Sequence, residues 1–176
     1  MAAGIVKWAV SGYNTNMIIK VRELEIGGIS FGLTSGVVTT LGLIVGINSA
    51  TGSKLAIAAS ILTLAVADSL SDALGMQLSE ESRLDESKKP VWVISLFTFM
   101  AKFFFTVIFA IPIFLLRLDL AVALSVIFGL VLITITAIVV AKRHNQPILK
   151  QVLEHLGFAI LVVILSYYIG ILAERL

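Results

Sequence analysis

Apolar residues in this chain gather into five long runs, and each run has the length of a membrane crossing. A helix needs about 20 consecutive, mostly apolar residues to cross a hydrocarbon core about 30 Å thick. The pattern predicts a first span over about 26–47, closed by a turn at Asn48, Thr51, Gly52 and Ser53. A second runs over about 55–78 and continues into the charged stretch 80–89. Pro90 opens a third, about 91–116, and Arg117 and Asp119 mark a tight turn. A fourth covers about 120–141, the polar loop 142–147 follows, and a fifth covers about 149–172. Ahead of them, the apolar stretch from Met1 to Ile19 is broken by Ser11, Tyr13, Asn14 and Asn16. That mixture predicts a helix lying on the membrane, anchored by Trp8 and Tyr13, rather than a cleavable signal. The expected organisation is an N-terminal cytoplasmic or interfacial segment, 1–25, and an all-α polytopic domain of five transmembrane helices, 26–176.

Composition strengthens this reading. Hydrophobic residues make up 59% of the chain and charged residues 14%, with a mean hydropathy of +1.05. A water-soluble domain is closer to half apolar and a quarter charged. The basic residues sit in short clusters between the apolar runs, which argues for topology and against nucleic acid as a partner. Five spans place Lys7, Lys20, Arg22, Arg83, Lys88, Lys89, Lys142, Arg143 and Lys150 on one side, and Lys54, Arg117 and Arg175 on the other. The positive-inside rule then puts the N-terminus in the cytoplasm. The chain has no cysteine, so disulfides and thiolate metal sites are excluded.

The second span carries the candidate chemistry. Asp68, Asp72, Met76 and Glu80 recur every four residues and share one face of a helix. At about 1.5 Å per residue, Asp68 lies roughly 20 Å into the span and Asp72 roughly 26 Å. A carboxylate at mid-bilayer costs about 2.5–3.5 kcal/mol on insertion scales, and two of them one turn apart repel each other. A cation is the direct remedy. Oxygen ligands with one thioether suit a metal of intermediate softness, such as iron(II) or manganese(II), better than magnesium. The alternative keeps both acids protonated, or bonded to Ser69, Ser71 and the hydroxyls of the first span. Lys102, near the middle of the third span, either snorkels or pairs with Asp68 or Asp72; a metal and its ammonium would then compete for the same carboxylates.

Other signals are weaker. Gly28, Gly32 and Gly36 form a smooth face on the first span, read first as helix packing and second as a dimer seam or pathway. Ser30, Thr34, Ser35, Thr39 and Thr40 add hydroxyls there. Pro112 predicts a kink, Tyr167 and Tyr168 interfacial anchors. His144 reads as a solvated loop residue, and His155 as a satisfied helix residue before a proton relay. Glu23 and Glu25 flank the start of the first span, where carboxylates suit the helix dipole. No phosphate loop, positioned nucleophile or histidine cluster is visible, so an enzyme is not expected, nor a resident cofactor.

Two segments look familiar. VRELEIGGISFGLTSGVVTTLGLIVG resembles the first helix of the vacuolar iron transporter family, and DALGMQLSEES its second-helix pattern of a methionine followed by a glutamate. FAIPIFLL and SYYIG are similar to the ends of its third and fifth helices. The resemblance implies a homodimer with the path at the two-fold seam, and export of iron(II) or manganese(II) from the cytoplasm in exchange for protons. Carried over, Met76, Glu80 and Asp72 would line the path. The family's intramembrane aspartate of the first helix is Ser35 here, and Asp68 is the candidate replacement from the neighbouring helix. Glu25 is the best substitute for the acids of the cytoplasmic mouth, and the stretch 80–89 stands where longer members carry a metal-binding insert. The expected metal set is therefore Asp68, Asp72, Met76, Glu80 and Glu25.

The function expected is a proton-coupled exporter of iron(II) or manganese(II), in a prokaryotic plasma membrane. Lipid, divalent metal, protons and a second copy of the chain are its expected partners. The alternatives are a non-transporting membrane scaffold of the same fold, its acids neutralised by Lys102, or a channel or transporter for another cation.

Overall fold

The computed structural model describes residues 15–82 and 91–176, with side chains described from Arg22 onward. Among these residues every regular element is a helix: α1 (Thr15–Thr51), α2 (Lys54–Ser82), α3 (Trp92–Val107), α4 (Ala110–Leu115), α5 (Leu118–Arg143) and α6 (Ile148–Glu174). Five segments are long and apolar enough to cross a membrane, with α3 and α4 forming one of them over Trp92–Leu115. The chain is an integral membrane protein of five helical spans by length and composition. Apolar side chains on the outside agree: Leu62, Val66, Leu70, Leu74 and Leu78 form an exposed stripe along α2, which water would penalise and lipid does not.

The helices outrun the apolar runs. α1 is continuous from Thr15, so among the described residues no break falls at the boundary expected between 25 and 26. The expected surface helix falls largely on residues 1–14, outside the described residues, and residues 83–90 of the charged stretch lie outside them too. At its far end α1 continues to Thr51, because Asn48 and Thr51 stay in the hydrogen-bonded ladder. Gly52 then turns the chain with φ +56°, a conformation glycine adopts at no steric cost. Ser53 caps α2, its Oγ accepting from Ala56 N–H at 3.2 Å.

The kink expected at Pro112 is a short interruption at Ile108 and Phe109. Proline has no N–H for the carbonyl four residues earlier. The carbonyl of Ile108 accepts instead from Ile111 N–H at 3.2 Å, a tighter three-residue bond. Lys54, at the start of α2, ties that helix to the end of this span, since its Nζ donates to the carbonyls of Phe114 and Leu116 at 3.0 Å each. Both groups would otherwise be orphaned at the helix end.

α1 is the central helix. It packs most extensively on α3, then on α6, and also touches α2 and α5, while α2 packs on α3 and α5 on α6. The glycine face explains the closest of these contacts. A Cβ at Gly28 would lie 2.8 Å from the Ile94 carbonyl oxygen, and one at Gly32 would lie 2.5 Å from that of Thr98. Gly28, Gly32 and Gly36 therefore serve packing against α3 within the chain. Val37, Leu41, Ile44, Ile57, Ile61, Phe109, Ile113 and Ile133 fill the apolar core.

Candidate functional site

The α1–α3 contact carries polar cargo. On α3, Thr98, Lys102 and Thr106 recur every four residues and are all buried, so the face pressed onto the α1 glycines is a polar one. Its centre is Lys102, the largest fully buried side chain, 1% exposed. A buried ammonium demands opposite charge and three acceptors.

α2 supplies the charge. Lys102 Nζ donates to Asp72 Oδ2 at 2.5 Å and stands 2.5 Å from Asp68 Oδ2. It also donates to Ser35 Oγ at 3.0 Å, and Ser35 in turn donates to Asp72 Oδ2 at 2.7 Å. Three helices thus close on one nitrogen. The two Oδ2 atoms are no more than about 5 Å apart. They are not equivalent. The approach of Nζ to Asp68 lies off the hydrogen-bonding direction, so this oxygen is buried with ionic contact and no directed donor. Ser69, between the two acids, and Thr98, one turn before the lysine, have buried hydroxyls with no hydrogen-bond partner among the described residues.

Charge and exposure both point outward. Two carboxylates face one ammonium, so the cluster holds one excess negative charge when all three are ionised. The lysine is sealed, but the aspartates are 27% and 22% exposed. Asp68 lines a wide, shallow groove of 580 Å³ with Leu43 of α1 and Ala59, Ser60, Thr63, Leu64 and Ala67 of α2. A small cation arriving there meets carboxylate before it meets lysine.

The predicted residues divide accordingly. Asp68 and Asp72 converge. Met76 and Glu80 lie one and two turns further along α2, half-buried, and Glu25 is half-buried on α1. Among the described residues no group of three or more acids and histidines gathers in a way that could hold a metal ion. Glu81 accepts from Gln77 Nε2 at 2.9 Å, and Gln77 Oε1 accepts from Ser95 at 3.1 Å, which joins α2 to α3. His155 Nδ1 donates to the carbonyl of Gln151 at 2.8 Å, the bond of a satisfied helix residue, and His144 is exposed in the loop. Ser35 meets Asp72 and not Asp68, whose depth it was expected to share. The bridging role of Lys102 was an open alternative in the sequence. The four-residue spacing of Thr98, Lys102 and Thr106 is the signal that marks that face as buried.

No family model, curated protein or solved structure matches the chain. The likeness to vacuolar iron transporters therefore rests on the segments quoted above.

Proposed function

We propose that this protein exchanges a divalent cation, iron(II) or manganese(II), for protons across the membrane, with Asp68 and Asp72 as the carboxylates that hold the cation. The observation that carries the reading is the pairing of one sealed lysine with two partly exposed aspartates. The ion pair is then the cation-free state. A divalent ion docking on the same oxygens competes with the ammonium for them, and in this reading the lysine's proton leaves as the ion binds.

The charges suggest a stoichiometry. Two carboxylates, one ammonium and one further proton sum to zero. Two carboxylates, one divalent cation and a neutral lysine also sum to zero. Exchange of two protons for one cation keeps the buried site electrically neutral in both states, which a membrane interior favours strongly. Ser35 follows Asp72 in either state through its hydroxyl. Met76 and Glu80, and Glu25 on α1, extend the same route toward the basic end of the bundle. The excess of Lys and Arg at that end supports a cytoplasmic N-terminus, and export is the direction that the resemblance implies. A homodimer, as the resemblance implies, placed in a prokaryotic plasma membrane completes the reading.

The scaffold alternative is favoured by one specific observation, the completeness with which Lys102 is enclosed. Proteoliposomes with a manganese- or iron-quenched dye inside distinguish the two. The expected result is saturable flux accelerated by an opposing proton gradient, and a fall of about tenfold or more in Asp72→Asn and Asp68→Asn. A folded protein that moves no divalent cation establishes the scaffold. Unsaturable flux indifferent to the proton gradient establishes a channel.

A further inference from the structure

A second groove lies at the end of the bundle where α1 begins and α5 ends. It encloses 580 Å³ and is lined by Glu23, Ile26, Gly27 and Ser30 of α1 and by Val139, Val140, Arg143 and His144 from α5 and the turn after it. The α1 residues follow one helical face at spacings of three and four. The lining is graded along the helices. Ile26, Gly27, Val139 and Val140 make an apolar floor, and Glu23, Arg143 and His144 make a charged rim where the spans leave their apolar stretch.

The rim charges are not spent on each other. Glu23 and Arg143 face one groove with opposite signs, yet neither has an ion-pair partner among the described residues. An acid and a base held apart over an apolar floor complement a ligand with a phosphate, an ammonium and a hydrocarbon tail. We propose that this groove binds an aminophospholipid of the phosphatidylethanolamine type. Arg143 takes the phosphate with its planar fork of donors, with His144 beside it. Glu23 accepts hydrogen bonds from the primary ammonium, and the acyl chains begin on Ile26, Val139 and Val140. A choline headgroup has no N–H to offer Glu23, and a glycerol headgroup has no positive charge, so the site discriminates by chemistry as well as by charge. The proposal does not depend on the transport reading, because lipid would occupy the groove of a scaffold equally.

The test is native mass spectrometry of the delipidated full-length protein in detergent, titrated with phosphatidylethanolamine, phosphatidylcholine and phosphatidylglycerol of identical acyl chains. Wild type is expected to retain the ethanolamine lipid about fivefold over the other two. Glu23→Gln is expected to abolish the preference over choline, while Arg143→Gln lowers retention of all three. Helix content and melting of both variants, measured by circular dichroism, should match wild type, since neither side chain is buried. Equal retention of the three lipids by wild type overturns the proposal, as does an unchanged Arg143→Gln. So does a variant lacking residues 1–14 that gains ethanolamine lipid several-fold over the full chain, because that segment would then be the native occupant.

Discussion

Lys102→Met is expected to be the most damaging single substitution in this protein. Methionine fills most of the lysine's volume, so packing against the α1 glycines survives and the change is mainly one of charge. Asp68 and Asp72 are left within about 5 Å of each other with no counter-ion, in a segment that crosses lipid. Removing one partner of a buried ion pair costs about 3–5 kcal/mol, because the remaining charge is uncompensated. Partial exposure of the aspartates softens the penalty, because a partly solvated charge is screened, so the lower end of that range is expected. For a chain of this size that corresponds to a fall of roughly 10 °C in the melting temperature. The neutral triple variant, Lys102→Met with Asp68→Asn and Asp72→Asn, should recover most of the loss, since replacing all partners removes the orphaned charge. Thermal melts in detergent followed by circular dichroism check both. A Lys102→Met protein that melts with wild type would show that the ammonium is not needed, and a triple variant weaker than the single would show that geometry, not charge, holds the three helices.

The same cluster shows where sequence reading succeeds and where it stops. The five spans were legible because run length alone decides them, and composition excludes an aqueous fold. Their ends were less so. Thr51 and Ser82 stay helical because a polar residue at a membrane surface loses nothing by continuing the backbone ladder. The break in the third span lies at Ile108 and Phe109 rather than at Pro112, since the orphaned carbonyl is upstream of the proline that causes it. The acid ladder was visible in its four-residue spacing, and Asp68 and Asp72 do face one point. Their true partner came from the register between α2 and α3, which each helix's own periodicity does not encode. Depth counted along straight vertical helices paired Ser35 with Asp68. The hydroxyl meets Asp72 instead, a displacement of about one turn, or 6 Å, within what ordinary tilt and staggering of packed spans produce.

That register is set by glycine, and a pair of alanine substitutions should expose it by acting in opposite directions. Gly32→Ala places a methyl group 2.5 Å from the Thr98 carbonyl oxygen and 3.0 Å from the Lys102 backbone nitrogen. Both are main-chain atoms of α3, and neither can rotate aside. The helices must separate by enough to restore contact distance, which loosens the most extensive interface in the bundle and draws Lys102 away from Asp68 and Asp72. Overpacking of this kind costs about 1–3 kcal/mol and sometimes more, with the strained ion cluster adding to it. At Gly75, on α2, the same methyl group meets nothing within 4 Å. Alanine there gains up to about 1 kcal/mol of helix propensity with no opposing contact in the chain. Unfolding titrations should therefore place Gly32→Ala well below wild type and Gly75→Ala at or slightly above it. If transport follows the carboxylates, flux should fall in the first variant and persist in the second. Equal stability of the two would mean that α1 and α3 do not meet where these distances put them, and the lysine's position between the aspartates, which depends on that contact, would have to be abandoned with it.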